Sequence, residues 1–174
     1  MPGKDDADYS GLPPSRVDVR KAYPARRYDY WLGGKDNVAA DRRSGDAVEE
    51  VVPTIRLSIT ENRRFLQRAV RFLVEAGIRQ FLDIGSGMPA DANTHEVAQA
   101  IAPQSRVVYV DNDPIVVSHA RALIRSSSQG RTGYVEADLR APQDILRSPQ
   151  LRATLDMRRP VGLMAKLAAN SRAL

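Results

Sequence analysis

From Pro24 onward apolar positions follow helical spacing, and from Phe81 they alternate between short β-branched runs and amphipathic segments. Pro24 suits a first helical position, and Tyr28, Trp31 and Leu32 fall on one side of a two-turn helix that Gly33 and Gly34 stop. The polar turn Lys35-Asp36-Asn37 follows, with Asp36 or Asn37 as the cap of a helix over 38–52 that Pro53 ends. Ser58 and Glu61 have capping-box spacing and introduce a helix to Ala76, closed by Gly77. Its expected apolar stripe is Phe65, Leu66, Ala69, Val70 and Leu73, while Arg64, Arg68 and Arg71 recur on the other side as a solvated face.

The pattern then changes period. Phe81, Leu82 and Ile84 mark a strand over 80–84, and Asn93-Thr94 cap a helix that carries Val97, Ala98 and Ile101 to Pro103. The β-branched run 106–110 is a second strand, and so short a strand-helix-strand unit implies a right-handed parallel crossover. Asp113 caps and Pro114 starts a helix containing Ile115, Val116, Ala120, Leu123 and Ile124. Residues 126–130 read as a loop, 131–135 as a third strand, and 142–155 as one or two short helices interrupted by Pro149. Pro160 to Met164 begins like a fourth strand, after which 165–172 turns polar and helix-favouring. The expected fold is α/β: a Rossmann-like doubly wound parallel sheet, incomplete at three to four strands, with an N-terminal helical extension. The expected divisions are a disordered tail over 1–20, a helical extension or lid over 21–77, the core over 78–164 and a divergent tail over 165–174.

Composition narrows the classes. At 174 residues and 43% apolar content the chain has room for one domain with a real core. No run approaches the length of a membrane helix, and the first ten residues are polar without a signal-peptide core, so a cytoplasmic chain without membrane attachment is expected. The absence of Cys excludes disulfides, thiolate metal sites and a Cys nucleophile, and no metal site is indicated. The net charge of +5 invites a nucleic-acid role, but acidic and basic residues are interspersed, which disfavours it.

The chemistry concentrates between Arg79 and Asp91, where a strand breaks into a glycine turn that leads to a helix. Gly85 and Gly87 lack Cβ atoms where a ligand must approach backbone, and the N–H groups of the following helix are expected to face that ligand. Asp83, Asp111 and Asp138 stand at or just after the ends of three successive strands, so their carboxylates should converge on one crevice. Asp111 is placed for ribose hydroxyls, Asp138 for an exocyclic adenine amine, and Asp83 for a cationic portion of the ligand. An adenosine with a cationic, amine-bearing tail fits S-adenosylmethionine better than NAD. The spacing Gly85-x-Gly87-x-x-Ala90 satisfies the dinucleotide form too, so an NAD-binding Rossmann domain stays open, disfavoured by Asp83. His95 and His119 fall in helices and read as packing or surface residues; no general base is identified.

Several motifs carry a family resemblance. The turn Leu82-Asp83-Ile84-Gly85-Ser86-Gly87 resembles motif I of class I S-adenosylmethionine-dependent methyltransferases. The stretch from Tyr28 to Asn37, with 79–85, 95–98, 108–114 and 137–140, resembles the S-adenosyl methyltransferase family abundant in actinobacteria, over roughly 14–161. The resemblance implies S-adenosylmethionine as cofactor, with Asp83, Gly85 and Gly87 at its methionine end, Asp111 at its ribose, and Asp138 with Leu139 at its adenine. Asn112 joins the implied cofactor-binding set, and Tyr30, Lys35 and Asn37 are implied as part of a helical lid. It further implies methyl transfer to an unknown small-molecule acceptor. The likeness ends beyond Gly162, so a truncated member with impaired catalysis is expected, the alternative being a non-catalytic S-adenosylmethionine-binding fragment or remnant.

Overall fold

The computed structural model describes residues 18–165. Of the tail expected over 1–20, residues 1–17 lie outside the described residues, as do residues 166–174 of the divergent tail expected over 165–174. In chain order the elements are α1 (Pro24–Trp31), α2 (Ala39–Val51), α3 (Ile55–Glu75), β1 (Gln80–Ile84), α4 (Thr94–Ile101), β2 (Arg106–Asp111), α5 (Pro114–Leu123), β3 (Arg131–Glu136), α6 (Pro142–Arg147), α7 (Pro149–Thr154) and β4 (Gly162–Ala165). Two compact units divide between Arg63 and Arg64, inside α3.

The second unit holds a four-stranded parallel sheet in the order β3-β2-β1-β4. β2 and β3 extend the sheet to one side of β1 and β4 to the other, so strand order reverses beside β1, where open α/β sheets bind ligands at their carboxyl ends. Both faces are covered, which is why the strands read as near-continuous apolar runs. Phe81, Val107 and Tyr109 pack with Leu66, Val70 and Val74 of α3 and Ala98 of α4. Leu82, Ile84, Val108, Val110 and Val135 pack with Ile145 of α6 and Leu151 of α7. Each fully buried Val, Leu, Ile or Phe among them contributes roughly 1.5–3 kcal/mol.

The expected stripe of α3 requires one correction. Its buried line in this unit is Leu66, Val70 and Val74, with Leu73 partly buried, and Phe65 is 59% exposed. Residues four apart share a helix face, so once Leu66 and Val70 meet the sheet, Phe65 is rotated about 100° away. The three arginines are exposed, as expected of a solvated face.

The first unit is built on buried polar groups. Arg26 and Asp41 form an ion pair at 3.0 Å with both side chains fully buried, and Asp41 also accepts from the backbone N–H groups of Tyr23 and Val38, each at 2.9 Å. Arg26 donates to the Lys21 carbonyl at 2.6 Å and lies 4.6 Å from the centre of the Tyr23 ring. Asp41 therefore serves the start of α2 in place of the expected Asp36 or Asn37. Asn37 is occupied elsewhere: its amide donates to Asp29 at 2.8 Å and to the Gly34 carbonyl at 2.9 Å. A Cβ on Gly34 would stand 2.0 Å from an Asp29 carboxylate oxygen, so this turn closes only around glycine. The aromatic run ties α1 to its own unit, with Tyr28 donating to the Ile59 carbonyl and Trp31 to that of Gly45.

α3 also starts earlier than its capping-box spacing suggests. The Ser58 N–H donates to the Thr54 carbonyl at 2.9 Å, a helical bond already made where the cap was expected. The residues after Pro53 nucleate the first turn, and Ser58 is an interior position.

Candidate functional site

Beyond β1 the chain turns back on β2 through backbone bonds. The N–H groups of Gly85 and Ser86 both donate to the Val110 carbonyl, at 2.8 and 3.2 Å. Gly85 and Gly87 each have φ of +68°, a conformation that disfavours residues with a Cβ. A Cβ placed on Gly87 would meet nothing within 4 Å, so the backbone there borders open space. This is a turn that a ligand can approach closely.

Asp111 braces the turn from the end of β2. Its Oδ2 accepts from the Gly87 N–H at 2.9 Å and its Oδ1 from the Asp113 N–H at 3.0 Å. These bonds fix the plane of its carboxylate at the end of β2. Asp113 caps α5 as expected, accepting from the Ile115 N–H at 2.9 Å.

Asp83 sits deeper than the other acids. It is fully buried, pairs in register with Tyr109 of β2 and Met164 of β4, and accepts from the Thr94 hydroxyl at 2.6 Å. Thr94 is the first residue of α4, and the next residue is tied to β2: the Tyr109 hydroxyl accepts from the His95 N–H at 2.9 Å and lies 2.8 Å from His95 Nδ1. The Asn93–Glu96 capping box occupies this helix end as well, with the Asn93 N–H donating to the Glu96 carboxylate at 2.7 Å. The helix start expected to turn its N–H groups towards a ligand therefore spends them internally. The cause is tertiary: the Tyr109 hydroxyl, carried by the neighbouring strand, reaches the first turn. A pyrophosphate would find few donors here and the Glu96 carboxylate nearby, an arrangement that disfavours a dinucleotide.

Burial lowers the His95 imidazole below its usual 6.5, with Glu96 opposing the shift, and raises the Tyr109 hydroxyl well above 10.0. A histidine whose folded pKa is depressed contributes its full stability above the unfolded value and loses it as pH falls through the folded one. Unfolding free energy is therefore expected to decline as pH drops below 6.5, and His95→Gln to flatten that part of the profile in urea titrations.

Past β3, Asp138 is gripped by Arg140 through three side-chain bonds, Nη2 to Oδ2 at 2.5 Å and Nε to Oδ1 and Oδ2 at 3.0 Å each, and through the Arg140 N–H at 2.8 Å. These bonds, with a smaller contribution from Asn112, hold its carboxyl down to about 2. The pair is solvent-accessible and contributes little to stability, so a ligand amine can compete for the carboxylate at low cost. Leu139 beside it is 45% exposed.

The structure thus brings Gly85, Gly87 and Asp111 together, links Asn112 to Asp138, and sets Asp83 apart in a buried contact with Thr94. In the helical unit, Tyr30 donates to Asp46 at 2.7 Å, Asn37 is buried, and Lys35 is exposed. Thr94 and Tyr109 escaped sequence reasoning: the first reads as a cap and the second as a strand residue. The available signal was Tyr109, the one polar atom-bearing side chain within Val-Val-Tyr-Val.

A family model described as S-adenosyl methyltransferase matches residues 10–169. Among solved structures, a DUF574 family protein from Streptomyces avermitilis is 53% identical with a TM-score of 0.82, over 85% of this chain and 57% of that one. A Thermobifida fusca protein described as a candidate methyltransferase is 47% identical with a TM-score of 0.78, over 87% of this chain and 56% of that one. The chain therefore spans a little over half the length of each. No curated protein matches. Among the described residues no helix is long and apolar enough to cross a membrane.

Proposed function

The chain belongs to the S-adenosyl methyltransferase family, and on that premise we propose that it holds S-adenosylmethionine at the turn of Gly85 and Gly87 for methyl transfer to a small-molecule acceptor. The observation that carries the reading is the braced, open glycine turn beside Asp111, at a helix end whose donors are already spent. Such a site suits a ligand with hydroxyls and positive charge. When bound, S-adenosylmethionine supplies an electrophilic methyl group.

The chain's residues have separate tasks in this reading. Asp111, held at the end of β2 beside the glycine turn, accepts the ribose hydroxyls. Asp138, released in part from Arg140, accepts the adenine amine, Leu139 covers the ring with its exposed side chain, and Asn112 steadies Asp138. Asp83 supplies a negative field at the methionine end. Catalysis by such a site is mostly positioning of the methyl group in line with the acceptor.

Thermal unfolding with S-adenosylhomocysteine and, separately, NADH tests the reading. Ligand at about 100 times its dissociation constant should stabilise by roughly 2.7 kcal/mol, a visible rise in midpoint. The rise is expected with S-adenosylhomocysteine and not with NADH. A response to NADH alone overturns the proposal.

A further inference from the structure

The interspersion of acidic and basic residues is a property of sequence order alone, and the second unit separates them in space. In a parallel sheet every strand starts at one end and stops at the other, and each connecting helix runs back to the starting end. Asp111 and Glu136 close their strands, and Asp113 and Asp138 follow directly, so these acids share the stopping end. Arginines gather at the starting end. Arg106 and Arg131 are the first residues of β2 and β3 and stand in register, Arg79 immediately precedes β1, Arg158 and Arg159 precede β4, and Arg152 lies in the last turn of α7. All except the half-buried Arg79 are exposed.

Hydrogen bonds hold this row without neutralising it. Arg106 and Arg131 donate to the carbonyls of Thr154 and Ala153 at the end of α7, at 3.3 and 2.9 Å, and Arg79 donates to the Val74 carbonyl of α3 at 2.6 Å. A carbonyl orients a guanidinium and leaves its charge in place. The loop before β4 is drawn to the same end by the Gln80 side chain, which donates to the Asp156 carbonyl at 3.0 Å and accepts from the Asp156 N–H at 2.7 Å. Arg158 pairs with Asp156 at 3.0 Å, and among the described acids of this unit only Asp156 and Glu75 stand at the starting end. Contact with the negative ends of helices accounts for Arg79, Arg106 and Arg131, but not for Arg158 and Arg159, which belong to no helix.

Neighbouring strands lie about 4.8 Å apart, so a row across the four strands spans roughly 14 Å. Phosphates of one strand of a duplex recur about every 3.4 Å along its axis, so roughly four fall within that span. Guanidinium forks suit phosphate oxygens, which they can engage in pairs. The segments that carry the row, 79–80, 105–106, 130–131 and 156–159, expose one large apolar side chain, Met157 at 51%, whereas a protein partner or a membrane surface takes an apolar centre to bury.

We propose that the starting end of the sheet is a docking surface for the phosphate backbone of a nucleic acid, contacted by Arg106, Arg131, Arg158 and Arg159. This end lies away from the glycine turn, so the surface stands whether or not S-adenosylmethionine binds.

Fluorescence anisotropy of the full chain with labelled duplex DNA of about 20 base pairs, and with single-stranded RNA of similar length, reads the contact over about 50 to 200 mM salt. Binding is expected, with the logarithm of DNA affinity falling against that of salt at a slope of about −3.6, as four neutralised phosphates require. Arg158→Gln with Arg159→Gln should flatten that slope by about 2 and weaken binding at least about fivefold at the lowest salt. Arg43→Gln with Arg68→Gln removes the same charge from exposed helical positions outside the row, and should change affinity by less than about twofold. Equal weakening by the two pairs assigns binding to net charge and overturns the inference, as does an absence of binding to both nucleic acids at the lowest salt. Displacement of the nucleic acid by polyglutamate at equal charge assigns the surface to an acidic protein and overturns it too. Should the Arg158 and Arg159 pair of substitutions not fold, Arg106→Gln with Arg131→Gln must show the same loss against the same control, and no loss overturns the inference.

Discussion

Asp111→Ala is expected to abolish the thermal stabilisation that S-adenosylhomocysteine gives the wild-type chain. Two losses combine in this variant. The ribose loses a charged acceptor, and hydrogen bonds to a charged group are worth about 1.5–3 kcal/mol each. The Gly87 and Asp113 N–H groups also lose the partner that holds them at 2.9 and 3.0 Å, so the turn is no longer pre-set for a ligand. Together these exceed the roughly 2.7 kcal/mol expected at 100-fold ligand excess, which is why the shift should vanish instead of shrinking. Asp111→Asn retains one carbonyl acceptor and should fall between the two. A midpoint rise in Asp111→Ala equal to that of the wild type would falsify the ribose assignment while leaving the glycine turn as a binding element.

The second large effect concerns stability alone. Asp41→Ala is expected to cost about 3–5 kcal/mol, because it leaves the Arg26 guanidinium charged, buried and without its carboxylate. The backbone N–H groups of Tyr23 and Val38 lose the same acceptor, so the start of α2 loosens along with the ion pair. Trp31 is the chain's only tryptophan and lies in this unit, so its fluorescence in a urea titration reports the unit directly. Replacing both partners, as Arg26→Met with Asp41→Leu, should recover part of the loss. An apolar pair avoids the desolvation of two ions, but it still leaves two N–H groups unanswered. If Asp41→Ala unfolds at the wild-type urea concentration, the ion pair is not what holds this unit together.

Much of the core is legible in local pattern. The limits of β1 match the apolar run 80–84, Asp113 and Pro114 start α5 as their chemistry demands, and Pro149 divides α6 from α7. The glycine turn is legible for the same reason, because Gly85 and Gly87 occupy the left-handed conformation that their side-chain-free backbone allows. The helical preface is less so. Ser58 and Glu61 have correct spacing for a cap, yet Ser58 lies inside a helix that began at Ile55. Asn37 has the chemistry of a cap, yet Asp29 and the Gly34 carbonyl claim its amide. In both cases a local signal competes with a partner that local spacing does not display.

By itself, the sequence determined the succession of strands and helices, the parallel crossover, the turn at Gly85 and the presence of three strand-end acids, since each follows from nearest neighbours and from periods of two or 3.6 residues. The S-adenosyl methyltransferase family was legible as well, in the motif around Asp83 and in the stretch from Tyr28 to Asn37. Only the tertiary structure decided how those acids are used. Gly87 and Asp111 are 24 residues apart, His95 and Tyr109 are 14 apart, and Thr94 reaches Asp83 across the start of a helix. It also decided that α3 buries Leu66 and not Phe65, and that Asp41 answers Arg26. The physical reason is common to all of them: a polar group removed from water takes whichever partner the packing brings within about 3 Å, and packing is settled by the whole chain.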